Sequence, residues 1–288
     1  MSVGTEAPVV FECAGEKLVG ILHGCDGRCS VGIVIVVGGP QYRVGSHRQF
    51  VHIARALAAA GYPVFRFDYR GMGDSNGEPR SFEAVDDDIR SAVDSLIEAE
   101  PTLNTIVLLG LCDAASASLM YCGMDQRIGG LILLNPWVRT PEGEAKSYLR
   151  HYYLQRLMQR SFWRKVFSGE FRLGQSIRGL HQHIRDARYP RKLMASERGN
   201  SRHNLSFIER MRSGIASFGN PILFLISEKD LTAQEFVEFS RGSKAWARML
   251  KRRSVTTRTF PGADHTLSAR ADLRGAEACC IEWLRALE

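Results

Sequence analysis

The feature that most constrains this chain is an alternation of two patterns. Short continuous runs of β-branched and aliphatic residues recur, separated by stretches with helical spacing. The runs are Val31–Gly39 ("VGIVIVVGG"), Pro63–Tyr69 ("PVFRFDY"), Thr105–Leu111 ("TIVLLGL"), Gly130–Trp137 ("GLILLNPW") and a fifth from Pro221 ("PILFLISEKD"). Such runs suit strands covered on both faces, as in parallel sheets. A last strand is expected from Ser254 ("SVTTRTFPG"). Between them, "HRQFVHIARALAAAGY", "SFEAVDDDIRSAVDSLIEAEP", "TAQEFVEFSRGSKAWARML" and "TLSARADLRGAEACCIEWLRALE" read as helices. Ser81 is the expected N-cap of the second and Pro101 its stop. Upstream, "PVVFEC" and "KLVGILHG" flank Ala14-Gly15-Glu16, predicting a hairpin. The expected fold is α/β, a mostly parallel central sheet with helices on both faces.

One segment breaks this rhythm. From Arg139 to Phe218 there is no β-branched run, and aromatics sit in basic, helix-compatible sequence such as "SYLRHYYLQRLMQRSFWRKVF". The expected organisation is a core of residues 1–138 and 219–288 and a helical, basic cap insertion over 139–218. An insertion on the carboxyl side of the strands would cover the crevice where sites form in such sheets. Residues 139–215 hold 17 Lys/Arg against 6 Asp/Glu, while the whole chain carries a net charge of +7. The basicity belongs to the insertion. It reads either as a solvated helical face or as a surface for an anionic substrate, membrane headgroups or an acidic partner. No nucleic-acid recognition motif accompanies it, so nucleic acid is not expected.

No apolar run reaches the ~18 residues that a membrane helix needs. The N-terminus has early acids and no basic-then-apolar signal pattern. A cytoplasmic location is expected, with peripheral membrane contact through the basic cap as the alternative. The seven cysteines follow no framework spacing and are expected to be thiols. Cys25/Cys29, Cys279/Cys280 and His181/His183 lack matching ligand partners, so no metal and no cofactor is expected.

The carboxyl ends of the strands carry the candidate chemistry. Cys112 follows the strand at Thr105, Asp230 the strand at Pro221, and His265 the last strand. Nucleophile, acid and histidine thus come in the chain order of α/β-hydrolases. Gly110-Leu111-Cys112-Asp113-Ala114 resembles the elbow G-x-S-x-G, with Cys for Ser and Ala for the last Gly. Small residues suit a tight strand-to-helix turn, and a helix N-terminus favours a thiolate. His265 would be the base and Asp230 would fix its tautomer. The bland alternative is a buried, inert cysteine. The sole match to G-x-S-x-G, Gly73–Gly77 ("GDSNG"), follows no strand directly and precedes no helix, so Ser75 is expected to shape a turn. An oxyanion hole would use the N–H of Asp113 and that of Gln41, with Gly39 in reserve, because Pro40 has no N–H. Asp113 itself reads either as a helix-dipole partner or as a group that touches substrate or quiets the thiol.

These residues carry a family resemblance. "FRFDYRGMGDSNG", "LISEKD" and "GADHT" are similar to motifs of the α/β-hydrolase superfamily. With "GGPQYRVGSHRQF" and "GLCDAAS" the chain more narrowly resembles the exosortase A system-associated hydrolase 1 family. Cysteine at the nucleophile position also resembles dienelactone hydrolases. The narrower resemblance implies a hydrolase of bacterial exopolysaccharide and PEP-CTERM sorting systems, with Cys112 at the nucleophile position. The expected activity is hydrolysis of an ester or thioester through an acyl-enzyme. The alternatives are acyl transfer, or a catalytically weak scaffold that binds an anionic partner through the cap.

Overall fold

The first two strands, β1 (Glu6–Cys13) and β2 (Glu16–His23), are antiparallel and joined by Ala14-Gly15, both at positive φ as a two-residue hairpin loop demands. The structure is a computed structural model that describes residues 6–25, 29–39, 41–138 and 205–287. Six more strands complete one sheet: β3 (Val31–Val36), β4 (Val64–Phe67), β5 (Thr105–Leu111), β6 (Ile128–Leu134), β7 (Ile222–Ser227) and β8 (Val255–Phe260). Their order is β1-β2-β4-β3-β5-β6-β7-β8, antiparallel as far as the β2–β4 pair and parallel from there on. This is the mostly parallel sheet expected from the sequence.

The helices are α1 (Gln49–Ala59), α2 (Asp86–Ala99), α3 (Asp113–Tyr121), α4 (Phe207–Ser217), α5 (Leu231–Gly242), α6 (Lys244–Leu250) and α7 (Arg270–Arg285). The period of two in β3 sorts its side chains between two cores. Ile33 and Ile35 join Phe50, Ile53 and Leu57 of α1 on one face. Val34 and Val36 join Ile89, Val93 and Leu96 of α2 on the other. All of β3 is buried, and each such aliphatic side chain contributes about 1.5–3 kcal/mol on leaving water. That two-sided burial is why its sequence is continuously apolar.

Three expectations shift. Ser81 caps a short 3₁₀ turn, Phe82–Ala84, by accepting from the Glu83 N–H; α2 starts four residues further on, with Asp86, Asp87 and Asp88 at its positive end. The helical pattern after β7 is two helices, broken at Ser243. The stretch expected as a cap, 139–218, gives its last residues to the core. Residues 205–218 cluster with the core, and α4 buries Met211 and Ile215 in it. A capping box between Ser206 and Glu209 starts this helix. Residues 139–204, with His151, His181, His183 and His203, lie outside the described residues.

The loop after β4 is held by buried charge. Asp68 is fully buried and accepts from the backbone N–H groups of Arg43 (2.6 Å) and Asp74 (3.1 Å) and from the Arg43 guanidinium. Asp88, also fully buried, accepts from Arg70 three times: N–H (2.8 Å), Nε (3.0 Å) and Nη2 (2.7 Å). Two ion pairs thus pin the segment "DYRGMGDSNG" across the strand ends. Asp88→Ala would strand the buried Arg70 cation and is expected to cost about 3–5 kcal/mol. Urea unfolding of the purified variant checks this, as a lowered midpoint with an unchanged slope.

Candidate active site

The site begins with a steric demand. Where β5 meets α3, a side chain on Gly110 would place its Cβ 2.7 Å from the Ala114 carbonyl and the Ala115 nitrogen. Glycine at 110 and the small Ala114 and Ala115 therefore let the strand turn at once into the helix. Cys112 occupies the turn at φ 62°, ψ −122°, a backbone state that costs a non-glycine residue on the order of 1–3 kcal/mol. Its surroundings hold it there. The Cys112 N–H donates to the Leu134 carbonyl (2.9 Å), and its carbonyl accepts from the N–H groups of Ser116 (3.2 Å) and Trp137 (3.2 Å). The Ser116 hydroxyl donates in turn to the Trp137 carbonyl (2.6 Å). The thiol is partly exposed.

Asp230 follows β7 and is the N-cap of α5. Its carboxylate accepts from the N–H groups of Thr232 (3.0 Å) and Ala233 (3.2 Å), and Oδ2 also accepts from His265 Nδ1 (2.7 Å). The carboxylate is almost wholly buried, whereas the imidazole is about one-third exposed. That bond uses Nδ1 and leaves Nε2 for Cys112. The Asp230 hydrogen bond, then the neighbouring Cys112, push the His265 imidazole up to about 10 against the opposing effect of burial. The imidazolium form therefore dominates at neutral pH. Asp264 shapes the histidine turn by accepting from the N–H groups of Thr266 (3.2 Å) and Ser268 (2.9 Å).

Sequence reasoning missed Asn135. It sits buried at the end of β6 with φ 44°, which asparagine tolerates better than most residues. Its Nδ2 donates to the His265 carbonyl (3.0 Å) and to the Ser227 hydroxyl (3.0 Å), and its Oδ1 accepts from the Ser227 N–H (2.8 Å). It ties the histidine loop to β7. The available signal was an Asn-Pro step at the carboxyl end of a strand.

The loop after β3 also differs in detail. The Gln41 N–H turns back to the Gly38 carbonyl (3.2 Å). The Gly39 N–H points across to helix α3 and donates to Asp113 Oδ2 (2.8 Å), while Asp113 Oδ1 accepts from the Ala114 N–H (2.9 Å). Burial pushes the Asp113 carboxyl up; these backbone donors and His265 oppose the shift. Ser75 lies apart, its hydroxyl accepting from the Val19 N–H (2.9 Å) and donating to the Asp68 carbonyl (2.6 Å). It closes a turn, as expected. A cavity of about 700 Å³ near β8 and α5 is lined by Phe224, Phe236, Ser240 and Thr257. Cys112, Asp230 and His265 take no part in it.

A strained residue between strand and helix, with an aspartate-held histidine after the last strand, is the layout of the α/β-hydrolases. The family model described as "Serine aminopeptidase, S33" matches residues 30–269. The chain belongs to that family. The family's name specifies serine, whereas the elbow here carries Cys112. A lysophosphatidylserine lipase, ABHD12 of Xenopus tropicalis, is 32% identical over 120 residues; the match covers 40% of this chain and 30% of that protein. The chain thus matches under a third of that relative's length. Among solved structures, an esterase of Pyrococcus furiosus superposes with a TM-score of 0.65 at 14% identity, covering 98% of this chain and 93% of the other. Est1E of Butyrivibrio proteoclasticus, with ferulic acid bound, gives 0.65 at 17%, covering 97% and 98%. A dienelactone hydrolase of Anabaena variabilis gives 0.62 at 13%, covering 99% and 98%. These likenesses show the α/β-hydrolase fold.

Two predictions follow from this geometry. His265 is raised in the folded state, so its contribution to stability is complete below about pH 6.5 and is lost as pH climbs through about 10. The difference in urea midpoint between wild type and His265→Gln should shrink over that interval. Asn135→Ala leaves the buried Ser227 N–H without its acceptor, which is expected to cost about 1–3 kcal/mol. The same variant should slow alkylation of Cys112 at neutral pH, because the histidine loop loses its brace.

Proposed function

We infer that this protein hydrolyses a carboxylic ester or thioester through an acyl-cysteine intermediate on Cys112. The observation that carries this reading is the strained elbow at Cys112 facing a histidine that Asp230 holds. A structural cysteine needs no unfavourable backbone and no charged histidine beside it. The imidazolium of His265 is the counter-charge that a reactive thiolate requires.

The reaction runs in two halves. Sγ of Cys112 attacks the acyl carbon, a C–S bond forms, and the carbonyl electron pair moves to oxygen. The tetrahedral species collapses, the bond to the leaving alcohol or thiol breaks, and Nε2 of His265 gives that group its proton. Water then attacks the acyl-cysteine, its proton passes to His265, and the C–S bond breaks to release the acid. Asp230 keeps Nδ1 occupied throughout, so that Nε2 always faces the sulfur. The N–H groups of Asp113 and Gly39 are the oxyanion donors in this reading, in place of Gln41, whose N–H closes a turn.

The esterase and lipase names of the similar proteins support an ester as the substrate class. The motifs "GGPQYRVGSHRQF" and "GLCDAAS" support a place in exopolysaccharide and exosortase sorting systems. There the substrate would be an acyl or ester group on a small, anionic precursor, opposite in charge to the basic residues of 139–204. Acyl transfer to an acceptor other than water uses the same intermediate. Among the described residues no helix is long and apolar enough to cross a membrane.

Iodoacetamide should label Cys112 first among the seven cysteines, located by peptide mass spectrometry. Burial pushes the thiol of Cys122 up to about 12 and that of Cys280 up as well, so both should lag far behind. Short aryl esters should be turned over by wild type and by Ser75→Ala but not by Cys112→Ala. Turnover should fall as pH rises through about 10, where His265 loses the proton the leaving group needs. Equal labelling of all cysteines, or full activity in Cys112→Ala, would overturn the reading.

A further inference from the structure

We propose that Asp113 is a rate-setting plug: its carboxylate occupies the oxyanion hole, and each turnover requires it to swing away from the Gly39 N–H. The inference rests on the reading of Cys112 as nucleophile.

The geometry is specific. An oxyanion hole in this fold needs donors on two elements, the N–H after the nucleophile and one from the loop after β3. Here a single carboxylate holds the loop donor and reaches back to the first turn of α3. Oδ2 takes the Gly39 N–H at 2.8 Å from the loop, and Oδ1 takes the Ala114 N–H at 2.9 Å from the first turn of α3. Gly38, beside it, has no room for a side chain because Asp113 Oδ1 and the Ala114 nitrogen fill the place of a Cβ. A carboxylate oxygen is also the nearest mimic of the oxyanion itself: a full negative charge accepting short bonds from backbone N–H groups. Substrate and side chain therefore compete for the Gly39 N–H.

The neighbours make this arrangement more than a helix cap. A capping carboxylate accepts from its own helix, as Asp230 does with Thr232 and Ala233. Asp113 bonds Ala114 of its own helix and also reaches a residue 74 positions away, in the loop after β3. It is the first residue of its helix, immediately after the nucleophile, where swinging the side chain about Cβ would vacate the hole without moving the backbone.

Acylation and alkylation of the same thiol separate the two ideas. Acylation by p-nitrophenyl acetate needs the oxyanion hole, whereas alkylation by iodoacetamide needs only the thiolate. Asp113→Ala is expected to raise the acylation rate constant about 10²-fold, the scale of an oxyanion-hole donor, with alkylation changed little. Asp113→Asn, which keeps the shape and a weaker acceptor, should fall between and covers the case in which the alanine variant does not fold. The proposal is overturned if acylation in these variants is unchanged or reduced, or rises only in step with alkylation. That last outcome would make Asp113 an electrostatic brake on the sulfur. An Asp113→Ala gain that survives Cys112→Ala would instead sink the nucleophile assignment.

Discussion

The geometry at the carboxyl end of this sheet depends on how closely β5 and α3 approach. Their backbones touch where Gly110 faces Ala114 and Ala115. That contact removes any loop between strand and helix, so Cys112 must turn the chain by itself. The positive φ and the three backbone hydrogen bonds around it are consequences. A looser crossing would relax the cysteine into an ordinary conformation and withdraw its sulfur from the crevice. Strain here is maintained by packing on both sides of the sheet, which is why so much aliphatic burial stands behind a site of few residues.

The second support is a chain of polar groups that joins separate strand ends. Asn135, just after β6, holds Ser227 on β7 and the loop that carries His265. His265 meets Asp230, and Asp230 starts α5. Each group is buried or partly buried and each has its partners, so the network stiffens the site instead of costing stability. The ion pairs of Asp68 and Asp88 do similar work on the other wall, holding the loop after β4. Much of the segment that resembles a family motif is thus architecture, and Ser75 within it is a turn residue.

The strands, most of the helices and the order of Cys112, Asp230 and His265 were legible because burial on both faces writes itself as continuous apolar runs, and sites lie where those runs end. Interactions between distant segments left no such trace. Nothing local to Asn135 announces a bond to His265, 130 positions away. The Asp113–Gly39 bond is equally silent, although the adjacency of Asp113 to the thiol was visible. Helix α4 falls in the expected insertion because the stretch up to Phe218 holds no β-branched run. Yet Phe207, Met211 and Ile215 repeat every four residues, and that stripe packs against the core. The missing strand run set the boundary there, and helical periodicity was the better guide.

Asp230 serves two masters with one carboxylate: it opens a helix and it aims the histidine. The two duties cannot drift apart over generations. A change that loosened the start of α5 would also tilt the imidazole, and a change that retuned the imidazole would fray the helix. The start of α5 and the orientation of the imidazole therefore depend on the same two oxygen atoms. A replacement at position 230 would disturb helix and histidine together.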